Sequence, residues 1–233
     1  MAQTFKFLVV IFLMSVSFPT IVWAGELEDG KASYDKGDFA TALQKWKPLA
    51  DQGHASAQYN LGIMYDNGQG VTQDYAEAVK WYRKSAEQGN AQGQLNLGFM
   101  YDNGRGVTQD YAEAVKWYRK AADQGNASAQ ANLAIRYAKG QGVTQDYAEA
   151  VKWYRKSADQ GIWQAQYNLG LMYQNGRGVT QDYVQAQVWF NLSAAGGNTD
   201  AVKGRDINAK QMTPDQVTDA QRLASEWIAA HPK

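Results

Sequence analysis

The sequence predicts an all-α fold, an α/α solenoid of stacked helix pairs. Three observations carry that expectation. The string GVTQDYAEAVKWYRK occurs at 70–84, 106–120 and 142–156, and a diverged copy, GVTQDYVQAQVWFNL, follows at 178–192. The spacing is 36 residues each time, a length suited to a two-helix unit. Within each period, two stretches place apolar residues three and four apart, and glycines separate them.

Four full units follow from this spacing, at 54–89, 90–125, 126–161 and 162–197, together 54–197. Ahead of them, 25–53 is a shortened unit: Tyr34-Asp35 aligns with Tyr65-Asp66 and Asp38-Phe39 with Asp74-Tyr75, with fewer residues between. The segment 198–233 differs from the repeats and is expected to form closing helices. In the first full unit, helix A is expected over 54–67, with Ala57, Leu61 and Tyr65 on one stripe and Gln58 and Gly62 beside it. Helix B is expected from Tyr75 to Gln88, burying Tyr75, Ala78, Val79, Tyr82 and Ala86, with Trp81 and Ser85 on its flank. Asp74 is expected to cap helix B with Glu77 reaching back, a capping box. Asn90 and Asn126 suit the starts of later A helices, and His54 takes the same position. Gly62 and Gly98, unfavourable inside a helix, imply close approach to a bulky neighbour such as Trp81. Pro48 is expected to kink the second helix of the shortened unit. Thr213-Pro214-Asp215-Gln216 is a helix start, with Val217, Ala220, Ala224, Trp227 and Ile228 forming the apolar face of the helix that follows. One helix pair cannot bury its own stripe, so the units must stack and both ends must be sealed.

Composition narrows the chemistry. The 233 residues carry 23 Lys plus Arg against 23 Asp plus Glu. Such a balance supplies no general electrostatic grip on nucleic acid, so no nucleic-acid partner is expected. Cysteine is absent, which excludes disulfides, thiolate nucleophiles and Cys-ligated metal. Only His54 and His231 supply imidazoles, so neither a multi-His metal site nor a cofactor is expected. Acids that recur every 36 residues are a scaffold feature rather than a catalytic pair, and no catalytic residues are assigned. At the N-terminus, Lys6, the apolar run Phe7–Met14 and Val22-Trp23-Ala24 follow the pattern of a secretory signal peptide over 1–24, cut after Ala24. The run is shorter than a membrane span, so the mature chain is expected to be periplasmic or secreted, without stable membrane insertion.

The stretch 55–86, ASAQYNLGIMYDNGQGVTQDYAEAVKWYRKSA, resembles the Sel1-like repeat, of the tetratricopeptide type, and three further in-phase copies carry the same resemblance. Arg205–Trp227, RDINAKQMTPDQVTDAQRLASEW, is similar to the closing segment of many bacterial members. The resemblance implies a right-handed superhelix whose A helices line a concave, protein-binding or peptide-binding face. It implies adaptor roles in envelope assembly, signalling regulation or host interaction. The sequence departs from two branches of the family, one with a disulfide in each repeat and one with a lipid-anchoring cysteine. The cysteine-rich branch also implies an alternative, an envelope hydrolase acting on β-lactam or peptidoglycan.

Positions that vary among the copies on the open side of helix A are the recognition candidates. They are Tyr59, Ile63 and Asp66 in the first full unit, Leu95, Phe99 and Asp102 in the second, Ile135 and Arg136 in the third, and Tyr167, Leu171 and Gln174 in the fourth. Tyr59 and Tyr167 are expected to be exposed, where aromatics anchor a bound chain. Arg136 and Lys139 are expected to form a local basic spot. Ile162-Trp163 departs from the polar-Ala start of the other units and marks an unusual fourth junction.

Overall fold

The computed structural model describes residues 20–231, with side chains from residue 25. The leader expected at 1–24 lies outside the described residues, apart from the helical main chain of 20–24. Twelve helices run through the described residues: α1 (Thr20–Asp35), α2 (Phe39–Asp51), α3 (Ala55–Asn67), α4 (Tyr75–Glu87), α5 (Ala91–Asn103), α6 (Tyr111–Asp123), α7 (Ala127–Lys139), α8 (Tyr147–Asp159), α9 (Trp163–Asn175), α10 (Tyr183–Ala195), α11 (Thr199–Ala209) and α12 (Pro214–Ala230). From α1 to α11 each packs on its neighbours in sequence, and α12 packs on α10 rather than on α11. None is long and apolar enough to cross a membrane.

Local chemistry sets the helix limits. The Asp74 carboxylate accepts from the main-chain N–H of Ala76 and Glu77 at 2.9 and 3.0 Å, and Asp110 does the same for α6. Glu77 does not close the expected box. It pairs with Lys80 at 2.6 Å one turn on, and the Asp74 N–H that the box would use donates instead to Tyr65 O at 2.9 Å. Asn90 and Asn126 cap α5 and α7, and His54 Nδ1 accepts from Ala57 N in α3. Each A helix ends at a left-handed glycine, Gly68, Gly104, Gly140 and Gly176. The loop then closes through a glutamine amide that donates to a helix-end carbonyl, Gln73 to Asp66 and Gln109 to Asp102, both at 2.7 Å.

Within a pair, Gly62 and Gly98 let helix A lie on an aromatic ring. A methyl on Gly98 would stand 2.7 Å from Tyr118 Cδ1. Gly62 likewise faces Tyr82, not Trp81 as expected. Both aromatics are buried, but Tyr82 is the one aimed across the pair, while Trp81 joins the cluster around Trp46 and Leu49 from the preceding unit. Between pairs, a buried glutamine near the start of helix A donates to the end of the preceding helix B: Gln58 to Ala50 O, Gln94 to Ala86 O and Gln130 to Ala122 O, at 3.0–3.2 Å. Arg83, Arg119 and Arg155 reach forward to the hydroxyls of Tyr101, Tyr137 and Tyr173 in the next unit.

The ends are sealed differently. At the front, Trp46 Nε1 donates to Leu27 O at 3.1 Å. α2 continues through Pro48, whose carbonyl still accepts from Gln52 N. At the back, Asn208 is fully buried and donates to Tyr183 O and Gln187 Oε1, both at 2.8 Å. Thr213 and Gln216 form the reciprocal box that starts α12. Ala220 and Ala224 are buried, and Trp227 meets Trp189 edge-on. Ile228, expected on this apolar face, is 48% exposed.

The second glycine of each loop bears on the stack. Gly106 has φ +68°, and a Cβ there would overlap the Tyr75 carbonyl at the start of the preceding helix B. Gly89 has φ +91° with nothing within 4 Å. Gly106→Ala is expected to cost about 2–3 kcal/mol in chemical denaturation, from both overpacking and backbone strain. Gly89→Ala, with strain alone, is expected to cost about 1 kcal/mol. Equal losses would contradict the close approach.

Candidate functional site

Between α7 and α9, two successive A helices, lies a cleft of about 320 Å³, lined by Ser128, Ala131, Asn132, Ile135, Ile162, Gln164 and Asn168. A smaller one, about 150 Å³, lies at the front beside α1 and α3 and is lined by Lys31, Tyr34, Asp35, Trp46, Asn60 and Ile63. Both share one composition: an isoleucine, an asparagine amide one turn away, and further polar groups at the rim.

The expected recognition residues lie in several different surroundings. Ile63 and Ile135 line the clefts. Phe99, 40% exposed, and the half-buried Leu171 occupy the same register in α5 and α9. Leu95 is half-buried against the central core. Tyr59 and Tyr167, expected to be exposed, are half-buried. Their rings lie 6.1 and 5.8 Å from Tyr82 and Phe190 of the same pair, the rings that Gly62 and Gly170 of the same A helices also face. Burial raises the Tyr59 phenol above its ordinary pKa.

Asp66, Asp102 and Arg136 form a polar ladder across repeats. Tyr82 OH donates to Asp66 and Tyr118 OH to Asp102, each at 3.3 Å. Arg105 then approaches Asp66 at 3.6 Å, and Arg136 approaches Asp102 at 2.8 Å. Arg136 is therefore not a free basic spot: its charge is spent on the preceding repeat's acid, which the missing carboxylate at Ala138 leaves it no reason to share. Gln174 is half-buried at the matching place in α9, and its carbonyl accepts from Gln181. Ile162 gives α9 no side-chain cap and instead lines the cleft.

The clefts also hold residues that sequence reasoning passed over. Asn60, Asn132 and Asn168 line them, and Asn96 stands in the same register. The signal was an asparagine every 36 residues. Invariance among copies is equally consistent with a packing role, and these amides lie half-buried at the cleft walls. Neither histidine belongs to the site: His54 caps α3, and His231 stacks on Trp227 with centroids 4.1 Å apart. Among the described residues, no cluster of three or more His, Asp or Glu suited to a metal ion is found.

A stack of helix pairs with clefts between its A helices defines a helical-repeat scaffold. The chain belongs to the Sel1 repeat family, whose model matches 55–90, 91–126, 127–162 and 163–198. A protective antigen of uropathogenic Escherichia coli that displays an SLR fold is 40% identical, with a TM-score of 0.77 over 88% of this chain. This chain spans 46% of that antigen's length. A Sel1 repeat protein from Oxalobacter formigenes is 33% identical, covering 86% of this chain and 84% of its own, with a TM-score of 0.75. An immunity protein from Pseudomonas aeruginosa, 21% identical over 85% of this chain and 82% of its own, has a TM-score of 0.50, a likeness of fold. Among curated proteins none matches the sequence at a significant level.

Burial pushes the Asp102 carboxyl above its ordinary value of 3.8, while Arg136, the Tyr118 hydroxyl and Lys139 pull it back. A carboxyl raised on folding favours the native state most when protonated, and that contribution falls as pH rises from the unfolded value through the folded one. Arg136→Met places there the residue found at Met64, Met100 and Met172. It is expected to raise the Asp102 midpoint further in a side-chain carboxyl NMR titration. A midpoint that stays put or falls would show that Arg136 does not act on the acid.

Proposed function

We propose that the protein is an exported, non-enzymatic adaptor that binds an extended segment of a partner protein along the face of its A helices. The α7/α9 cleft carries this reading. Ile135 and Ile162 offer apolar anchorage, Asn132 and Gln164 offer carboxamides that both donate to and accept from a peptide main chain, and Asn168, whose amide donates to Gln164 O at 2.9 Å, offers its oxygen. The same isoleucine–asparagine arrangement at the front cleft and the exposed Phe99 between them make the face a series of similar subsites. The residues that line the α7/α9 cleft are all uncharged, which suits recognition there by main chain and apolar side chains more than by charge. Export rests on the leader-like 1–24.

The buried serines support a non-enzymatic role. Ser85, Ser157 and Ser193 donate to the carbonyls of Ala55, Ala127 and Trp163 at 2.7–2.8 Å, which commits their hydroxyls to holding pairs together. Ser33 and Lys36 do have the Ser-x-x-Lys spacing of β-lactam-acylating enzymes. They sit at the end of α1 and in the turn after it, where the Ser33 carbonyl accepts from Lys36 N and Asp38 N. Lys36 is exposed, unlike a lysine that works on a serine inside a closed site.

Selection of a displayed random-peptide library on the protein is expected to enrich extended, uncharged sequences that bind in fluorescence anisotropy. Ile135→Glu and the pair Asn132→Ala with Asn168→Ala are each expected to weaken them about tenfold or more, roughly 1.4 kcal/mol, with helicity unchanged. No enriched peptide, or binding indifferent to both changes, would remove the cleft from the function.

A further inference from the structure

The junction glutamines do more than donate backward. At three junctions the Oε1 of the buried glutamine accepts from a second glutamine thirty residues on. Gln88 Nε2 donates to Gln58 and Gln124 to Gln94, both at 2.7 Å, and Gln160 donates to Gln130 at 2.8 Å. The fourth glutamine, Gln166, is 3% exposed and keeps the backward bond, to Ala158 O at 3.2 Å. Thirty residues on, however, stands Gly196, and among the described residues Gln166 Oε1 has no hydrogen-bond partner.

A cleft of about 210 Å³ opens at that place, with Gln166, Leu192, Gly196, Trp227 and His231 on its walls. Two residues differ here from the other junctions. Trp163 occupies the position of Ala55, Ala91 and Ala127, and a Cβ at residue 196 would stand 2.9 Å from Trp163 Cβ. With glycine at 196, the carboxamide that completes the other junctions is lost. α12 supplies the outer wall, where the His231 ring stacks on Trp227. The cleft admits one side chain rather than a cofactor-sized molecule. None of the described residues that line it carries a carboxylate, so its walls suit a neutral donor better than an ammonium group, whose desolvation they would not offset.

We propose that this cleft receives the side-chain carboxamide of a glutamine from a partner polypeptide. The incoming N–H donates to Gln166 Oε1 and the methylenes pack on Leu192 and Trp227, so the partner supplies the bond that the other three junctions make internally. The site is separate from the A-helix clefts and does not depend on their reading.

The test titrates the isotopically labelled protein with N-acetyl-L-glutamine methylamide, its norleucine counterpart and free L-glutamine. The readouts are the Gln166 side-chain amide and Trp227 indole NMR signals. Saturable shifts at both are expected with the blocked glutamine, in roughly the millimolar range for so small a ligand. Binding of the norleucine compound is expected to be about fivefold weaker, the worth of one hydrogen bond. Free L-glutamine is expected to bind no more tightly than the blocked compound. Trp163→Ala combined with Gly196→Gln restores the pair of residues found at the first three full units. It is expected to fill the cleft from within and abolish the shifts. Ile135→Glu is expected to leave them intact, which separates this site from the A-helix face. The proposal is overturned by equal shifts with norleucine, by shifts that survive the double variant, or by none at about 50 mM ligand. Tighter binding of free L-glutamine would overturn the polypeptide partner. The norleucine comparison decides the matter even if the double variant does not fold.

Discussion

A carboxamide buried between two helix pairs must find partners on both sides, and much of this architecture follows from that requirement. Gln58, Gln94 and Gln130 each join three elements: the end of the preceding helix B through Nε2, and the end of their own unit's helix B through Oε1. A buried amide left half-satisfied costs about 1–3 kcal/mol, comparable to a substantial part of a marginal protein's stability. Apolar stripes alone would tolerate sliding of one pair on the next. The amides do not, because a shift of one residue separates donor from acceptor. They set the register, and the apolar contacts of Leu61, Leu97 and Leu133 supply the larger share of the burial.

The polar ladder on the A-helix side obeys the same logic with charge. Tyr82 and Tyr118 are buried by the close approach at Gly62 and Gly98, and their hydroxyls need acceptors, which Asp66 and Asp102 provide. The acids in turn draw Arg105 and Arg136 from the following unit. In the third full unit Ala138 stands where the acid would be, and in the fourth Phe190 replaces the tyrosine and removes the hydroxyl that calls for an acid. The groups that remain for an outside molecule are those the ladder does not use: the isoleucine, phenylalanine and asparagine positions at the cleft walls.

Local signals were legible in the sequence. The caps at Asp74, Asn90 and Thr213, the left-handed glycines and the two amphipathic stretches in each period all depend on residues within a turn of one another. The choice between Trp81 and Tyr82 as the ring facing Gly62 was not. Both lie toward the interior of α4, and only the crossing of the two helices selects between them. The burial of Tyr59 and Tyr167 was missed for the same reason, since it depends on how far the facing helix stands off. The pairing of Arg136 with Asp102 joins different repeats, so it looked like an isolated basic residue. Asn60, Asn132 and Asn168 were hidden by their regularity, because a residue repeated in every copy serves packing and recognition alike until its surroundings are known.

The sequence by itself determined the helical repeat, its period, its punctuation and the absence of thiol chemistry, because each follows from residue type and short-range spacing. The tertiary structure decided which polar groups satisfy one another across repeats and which are left facing a cleft. Those outcomes depend on distances between residues thirty or more positions apart. The substitution of Gly196 beside Trp163 shows the difference: in the sequence it is a minor divergence of the last copy, and in the folded chain it removes one carboxamide and opens a cavity.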